Sequence, residues 1–108
     1  MARGRYDEAI ALRQRSIDLR RQLFGGESAL YGIGISRLAQ VYARKREFTT
    51  ADSLFSAALV NQRRFVSETH YDVRAIFALM AERYALEGKR AEADRYARLA
   101  EPQLTSDR

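Results

Sequence analysis

Cysteine is absent from this 108-residue chain, so it can form neither a disulfide framework nor a thiolate metal site. Histidine occurs once, at His70, which leaves no set of imidazoles for the common metal clusters. Proline also occurs once, at Pro102, and glycine six times. So little punctuation favours long helices over many short strands. No apolar run approaches the roughly 18 residues of a membrane-spanning helix, the longest being Ala75 to Ala81. The opening MARGRYDEA has no apolar signal-peptide core. From these absences we expect a cytoplasmic protein with no membrane partner. The 46% apolar content is enough for the core of one domain.

What is present is mostly arginine. The formal charge is +5, and of the nineteen basic residues only Lys45 and Lys89 are lysine. A basic balance raises the question of nucleic acid. The arginines, however, are dispersed and mostly stand near acids: Arg5 by Asp7, Arg15 by Asp18, Arg46 by Glu47, Arg95 by Asp94. That is a mixed, solvated surface and not a phosphate-binding stripe, so a nucleic-acid partner is not expected.

The chain repeats itself. Ala9, Ala51 and Ala93 are spaced by 42 residues, within the phrases GRYDEA (4–9), REFTTA (46–51) and GKRAEA (88–93). Upstream of the second and third, LAQVYARKREF (38–48) matches MAERYALEGKR (80–90). Ile35, Leu38, Ala39 and Tyr42 recur at three- and four-residue spacing, as one buried helix face requires; Phe77, Met80, Ala81 and Tyr84 repeat that face. The turns at Arg44 to Glu47 and at Glu87 to Lys89 are short enough only for antiparallel hairpins. Gly4-Arg5 reads as the corresponding turn of the first unit. GGESAL (25–30) and SETHYD (67–72), rich in glycine or capping residues, separate the units. Helices are therefore predicted at 6–23, 30–44, 48–65, 72–87 and 90–101, the last closed by Pro102. Ala39, Ala51, Ala81 and Ala93 flank the hairpin turns, because helices approach to about 8 Å only where the contacting residue is small. Asp7, Glu8 and Asp52 are expected in first turns, where acids favour the positive end of the helix dipole.

LAQVYARKREFTTADSLFSAAL (38–59) resembles the tetratricopeptide repeat, with its Leu-Ala, Tyr, turn, aromatic, Ala and final Ala-Leu in order. The 42-residue period resembles the subtype of kinesin light chains and many bacterial signalling proteins. FGGESALYG (24–32) and SETHYDV (67–73) stand where that subtype has its long loop. The pattern departs at Arg13, where the second unit has Phe55, and at Arg90, where the others have Tyr6 and Phe48. The resemblance implies an all-α fold, a right-handed α-solenoid of antiparallel hairpins with five helices. It would comprise a half repeat (4–23) and two full repeats (30–65 and 72–101), a piece of a longer array. It also implies a non-catalytic protein–protein interaction scaffold without cofactors, an accessory module of a larger bacterial regulatory or signalling protein.

Little else suggests chemistry. A Ser–His–Asp arrangement could use only His70, which lies in a predicted loop and which the resemblance makes a turn or capping residue. Gly32-x-Gly34 lies inside a predicted helix with no strand before it, and Gly25-Gly26 lacks the Gly-Lys-Ser/Thr of a phosphate loop. The first helices of the two full units do carry a second stripe away from the core. It comprises Ile33, Ser36, Arg37, Gln40 and Arg44, then Ala75, Ala78, Leu79, Glu82 and Leu86. In the resembled fold these residues line a concave groove that takes a partner segment. A second possibility is self-assembly through exposed solenoid ends. The helix at 6–23 would have an incompletely covered apolar face drawn from Tyr6, Ile10, Leu12, Ile17 and Leu23, a route to homo-oligomers.

The repeat register makes a direct prediction. Ala51→Leu should destabilise by about 1 to 3 kcal/mol by overpacking a crossing, whereas Ala11→Leu, off the repeated positions, should change little. Equal shifts of the two melting midpoints would show the register to be wrong.

Overall fold

A computed structural model of the chain describes residues 3–25, 28–67 and 69–102. They form five helices: α1 (Arg3–Phe24), α2 (Ala29–Arg44), α3 (Phe48–Arg63), α4 (Tyr71–Leu86) and α5 (Arg90–Ala100), with no strand among the described residues. Local chemistry explains where two of them start. Ser28 caps α2, its Oγ accepting from the Tyr31 amide at 3.3 Å, and His70 caps α4, its Nδ1 accepting from the Asp72 amide at 3.0 Å.

The hairpin turns obey the repeat. Arg46 (φ 69°) and Gly88 (φ 82°), 42 residues apart, both take the left-handed conformation. Behind them the Glu47 amide donates to the Tyr42 carbonyl and the Lys89 amide to the Tyr84 carbonyl, each at 2.9 Å. Glycine takes this conformation without steric cost; arginine does not. Arg46 has compensation: its Nη1 donates to the Leu86 carbonyl at 3.0 Å, one of the acceptors left open at the end of α4. Its guanidinium also lies 5.3 Å from the centre of the Phe48 ring. Gly4-Arg5 is not a turn. Both residues lie within α1, and no helix among the described residues precedes them.

The helices pack as successive antiparallel neighbours. α2 touches α1, α3 and α4, while α4 touches α2, α3 and α5. The first helices of the two full hairpins thus meet each other, whereas α3 makes no comparably close approach to α1 or α5. The described residues form a slab of 48 × 36 × 18 Å. Its core joins Ile35, Leu38, Ala39 and Ala43 of α2 to Ala51, Phe55, Ala58 and Leu59 of α3, and then to Val73, Ile76 and Phe77 of α4. Three of the four turn-flanking alanines are buried (Ala39, Ala51 and Ala93); Ala81 is only half-buried.

Glycine carries the small-residue rule further than alanine does. A Cβ on Gly32 would overlap the amide of Gln62 on α3, and one on Gly34 would stand 3.1 Å from Ile17 Cγ1 on α1. Two glycines in one helix thus admit neighbours on two sides. Beside Gly32, Asn61 Nδ2 donates to the Ser28 carbonyl at 2.9 Å and to Gln62 Oε1 at 3.1 Å. Gln62 is wholly buried, and its Nε2 makes no hydrogen bond. Such an orphan donor costs about 1 to 3 kcal/mol.

The α3–α4 junction holds the most buried charge. Arg83, 4% exposed, donates from Nε and Nη2 to the two carboxylate oxygens of Asp52 at 2.6 and 2.8 Å. Its Nη1 donates to Glu87 at 2.6 Å. The guanidinium lies 4.2 Å from the Tyr84 ring centre and 4.7 Å from that of Phe48. The carboxylate bonds, those to Asp52 first and to Glu87 next, raise the Arg83 pKa against the opposing effect of burial, so the group stays charged. The structure therefore corrects the first-turn assignment of the acids. Asp52 is the fifth residue of α3 and bonds Arg83; Asp7 is the fifth residue of α1 and bonds Lys45 Nζ at 2.8 Å. Glu8 follows Asp7, also past the first turn. Partners on neighbouring helices, and not the dipole, account for Asp52 and Asp7.

Candidate functional site

Because α2 and α4 lie side by side, their outward stripes border one cleft of about 380 Å³. Ile33, Ser36 and Arg37 line it from α2, and Asp72, Ala75, Ile76, Ala78 and Leu79 from α4. Six of the ten stripe residues are brought together here. Arg37, Ala75 and Ala78 are exposed, and Ile33 and Leu79 half-buried, so the floor is apolar and open. Ser36 is different: it is 3% exposed and its hydroxyl donates to the Ile33 carbonyl at 2.8 Å, which leaves it no free donor. Asp72 was not in the predicted stripe, although it stands one turn before Ala75 at helical spacing. Extending the stripe by three residues would have found it. Arg37 and Asp72 give the cleft one cation from α2 and one anion from α4.

Three more stripe residues bond to each other. Arg44 Nε donates to Glu82 Oε2 at 2.7 Å and Arg44 Nη2 to Glu82 Oε1 at 3.2 Å. Gln40 Nε2 donates to the same Oε1 at 3.1 Å. This bridge ties one repeat to the next. The Arg44 bonds, reinforced by Gln40, hold the Glu82 carboxyl below its ordinary pKa of 4.5 against the opposing effect of burial. The tenth residue, Leu86, packs against the core, with its carbonyl accepting from Arg46.

The expected apolar face of α1 is only partly as read from sequence. Ile17 belongs to the buried core, and Tyr6 and Ile10 are half-buried. Leu12 (67% exposed) and Leu23 (72%) are open, joined by Leu19 and Phe24, which the repeat register did not single out. Ile17 is covered because Gly34 lets α2 come close.

His70 lies at the start of α4, its Nδ1 committed to the Asp72 amide. Among the described residues no group of three or more histidine, aspartate or glutamate side chains could hold a metal, and no helix is long and apolar enough to cross a membrane. Compared with known proteins, the chain matches no family model, no curated protein and no solved structure.

The bridge makes stability depend on acid. A carboxyl whose pKa is lowered by folding stabilises the native state above its unfolded pKa, and that contribution is lost as pH falls through the folded value. Glu82 and Glu87, the latter lowered chiefly by Arg83, both act in this sense. The melting midpoint should fall as pH drops below about 4.5, the ordinary glutamate value. Glu82→Gln should make that fall shallower while costing about 1 kcal/mol or less at neutral pH. Identical acid slopes in the two proteins would remove the bridge as a source of the effect.

Proposed function

We propose that this chain is a tetratricopeptide-type helical repeat that binds a segment of a partner protein in the α2–α4 cleft and performs no catalysis. The observation that carries this reading is the cleft itself. Two equivalent helices, related by the 42-residue period, leave an open apolar floor at Ile33, Ala75, Ala78 and Leu79 with Arg37 and Asp72 on opposite walls. Such a surface suits an apolar side chain anchored in the cleft, with polar groups of the same segment reaching either charge. The Gln40–Arg44–Glu82 bridge contributes by fixing the separation of the two helices. On the family resemblance, the module belongs to a larger bacterial regulatory or signalling protein.

Peptides selected from a random display library against this protein provide the test. Ala75→Glu with Ala78→Glu places two carboxylates on exposed positions of the floor, so it should leave the melting midpoint nearly unchanged. Binding of the selected peptides should fall by about tenfold or more, as expected when a central anchor pocket is blocked. Undiminished binding by the double variant would place the peptide site elsewhere.

The exposed side chains of α1 favour a second reading, self-association through that helix. Leu19, Leu23 and Phe24 lie on the last turns of α1, near Leu30 in sequence, itself 46% exposed. On this reading, sedimentation over a concentration series should show dimers or larger species, and Leu19→Glu with Leu23→Glu should return them to monomer. A monomer at every concentration would dispose of it.

A further inference from the structure

A second cleft, of about 340 Å³, lies on another face, between α3, α4 and α5, and shares no residue with the first. Its floor is apolar: Leu59, Phe77, Tyr96 and Leu99. Arg74 and Arg95 stand on its walls, with Arg63 and Thr69 completing the rim, and among the described residues no carboxylate lines it. The arginines at the core and at the repeat junction are satisfied differently. Arg83 is bonded to two carboxylates and Arg44 to one. Arg74 is half-buried, yet its Nε donates to the Thr69 carbonyl at 3.3 Å and its remaining donors meet no acid among the described residues. Arg95 lies 5.3 Å from the Tyr96 ring centre and likewise has no ion pair there. The floor is already ordered, since Tyr96 stacks on Tyr84 (5.4 Å between centres, 7° between planes) and meets Phe77 at 5.9 Å.

We propose that this cleft is a second binding site, specific for a polypeptide segment in which an acidic side chain stands beside an aromatic or large aliphatic one. The carboxylate is held by Arg74 and Arg95, which offer charge-assisted hydrogen bonds that no described side chain lining the cleft accepts. The neighbouring apolar side chain lies on Phe77 and Tyr96, where offset or edge-on ring contacts are available without rearrangement. The volume is at the lower end of ligand sites, which run from about 300 to 1,000 Å³, enough for one or two side chains. Arg95 and Thr69 are exposed, so the cleft is open at its rim. The net charge of +5 attracts an acidic segment to the same surface.

Titration of isotope-labelled protein with the blocked peptide acetyl-Asp-Phe-Gly-amide, followed by NMR, tests this directly. Saturable shifts should centre on the amides around Arg74, Phe77, Arg95 and Tyr96. The Asn-Phe-Gly and Asp-Ala-Gly analogues should bind about tenfold more weakly, the effect of losing one charged or one apolar contact. Arg95→Gln, at an exposed position, should do the same with an unchanged melting curve; Arg74→Gln gives a second reading at the opposite wall. Several outcomes would overturn the proposal. These are no saturable shift at millimolar peptide, affinity unchanged from the unmodified protein in both arginine variants, or shifts centred on the α2–α4 cleft. Binding of free 3-phenylpropionate as tight as that of the peptide would make this a small-molecule pocket and overturn it too.

Discussion

The structure depends on how closely α2 can be approached. It touches three of the other four helices, and two of them, α1 and α3, come closest at its glycines. Gly32 leaves room for the Gln62 amide of α3, Gly34 admits Ile17 of α1, and Ala39 and Ala43 lie fully buried in the core. Large side chains at those positions would separate the neighbours by several ångströms, and Ile35 and Leu38 would lose the contacts that bury them. α2 also lies beside α4, so their outward stripes become two walls of one cleft.

The two places where one repeat follows another are built from different chemistry on one plan. At the first, Ile10 and Val41 occupy the positions that, 42 residues on, belong to Asp52 and Arg83. An apolar pair in one junction is thus an ion pair in the next. The buried guanidinium needs every partner it has: two oxygens of Asp52, one of Glu87 and two aromatic faces. Such a group adds little net stability over a well-packed hydrophobic pair, but it accepts few alternative arrangements. It fixes the seating of α4 on α3, and with it the shape of both clefts.

Charge is also divided unevenly over the surface. Near α2 and α4, Glu82 pairs with Arg44, while Arg37 and Asp72 add one charge of each sign to the cleft. On the face formed by α3, α4 and α5, aromatic rings pack against one another, and Arg74 and Arg95 meet no carboxylate among the described residues. One face thus carries charge of both signs, while the other offers cations beside apolar surface. The first suits an apolar anchor and the second an anion.

The sequence by itself determined the five helices and their pairing into hairpins. Capping by Ser28 and His70, left-handed turns at Arg46 and Gly88, and apolar residues at three- and four-residue spacing are local properties, and a 42-residue period repeats them. Boundaries differed from expectation by three residues at the start of α1 and by two at the end of α3, where fraying ends carry little signal. The stripe at Ile33, Ser36, Arg37, Ala75, Ala78 and Leu79 was legible for the same reason, since helical periodicity places residues on faces. Only tertiary structure decided which polar groups meet. Asp52 reaches Arg83 across 31 positions, and Glu82 is claimed by Gln40 and Arg44. Gln62 is buried whole, and Ile17 is covered while Leu19 is left open. Periodicity gives the direction of a side chain around its own axis. Whether it finds a partner depends on the distance and angle between two axes, which here are set by glycines and alanines that carry no charge themselves.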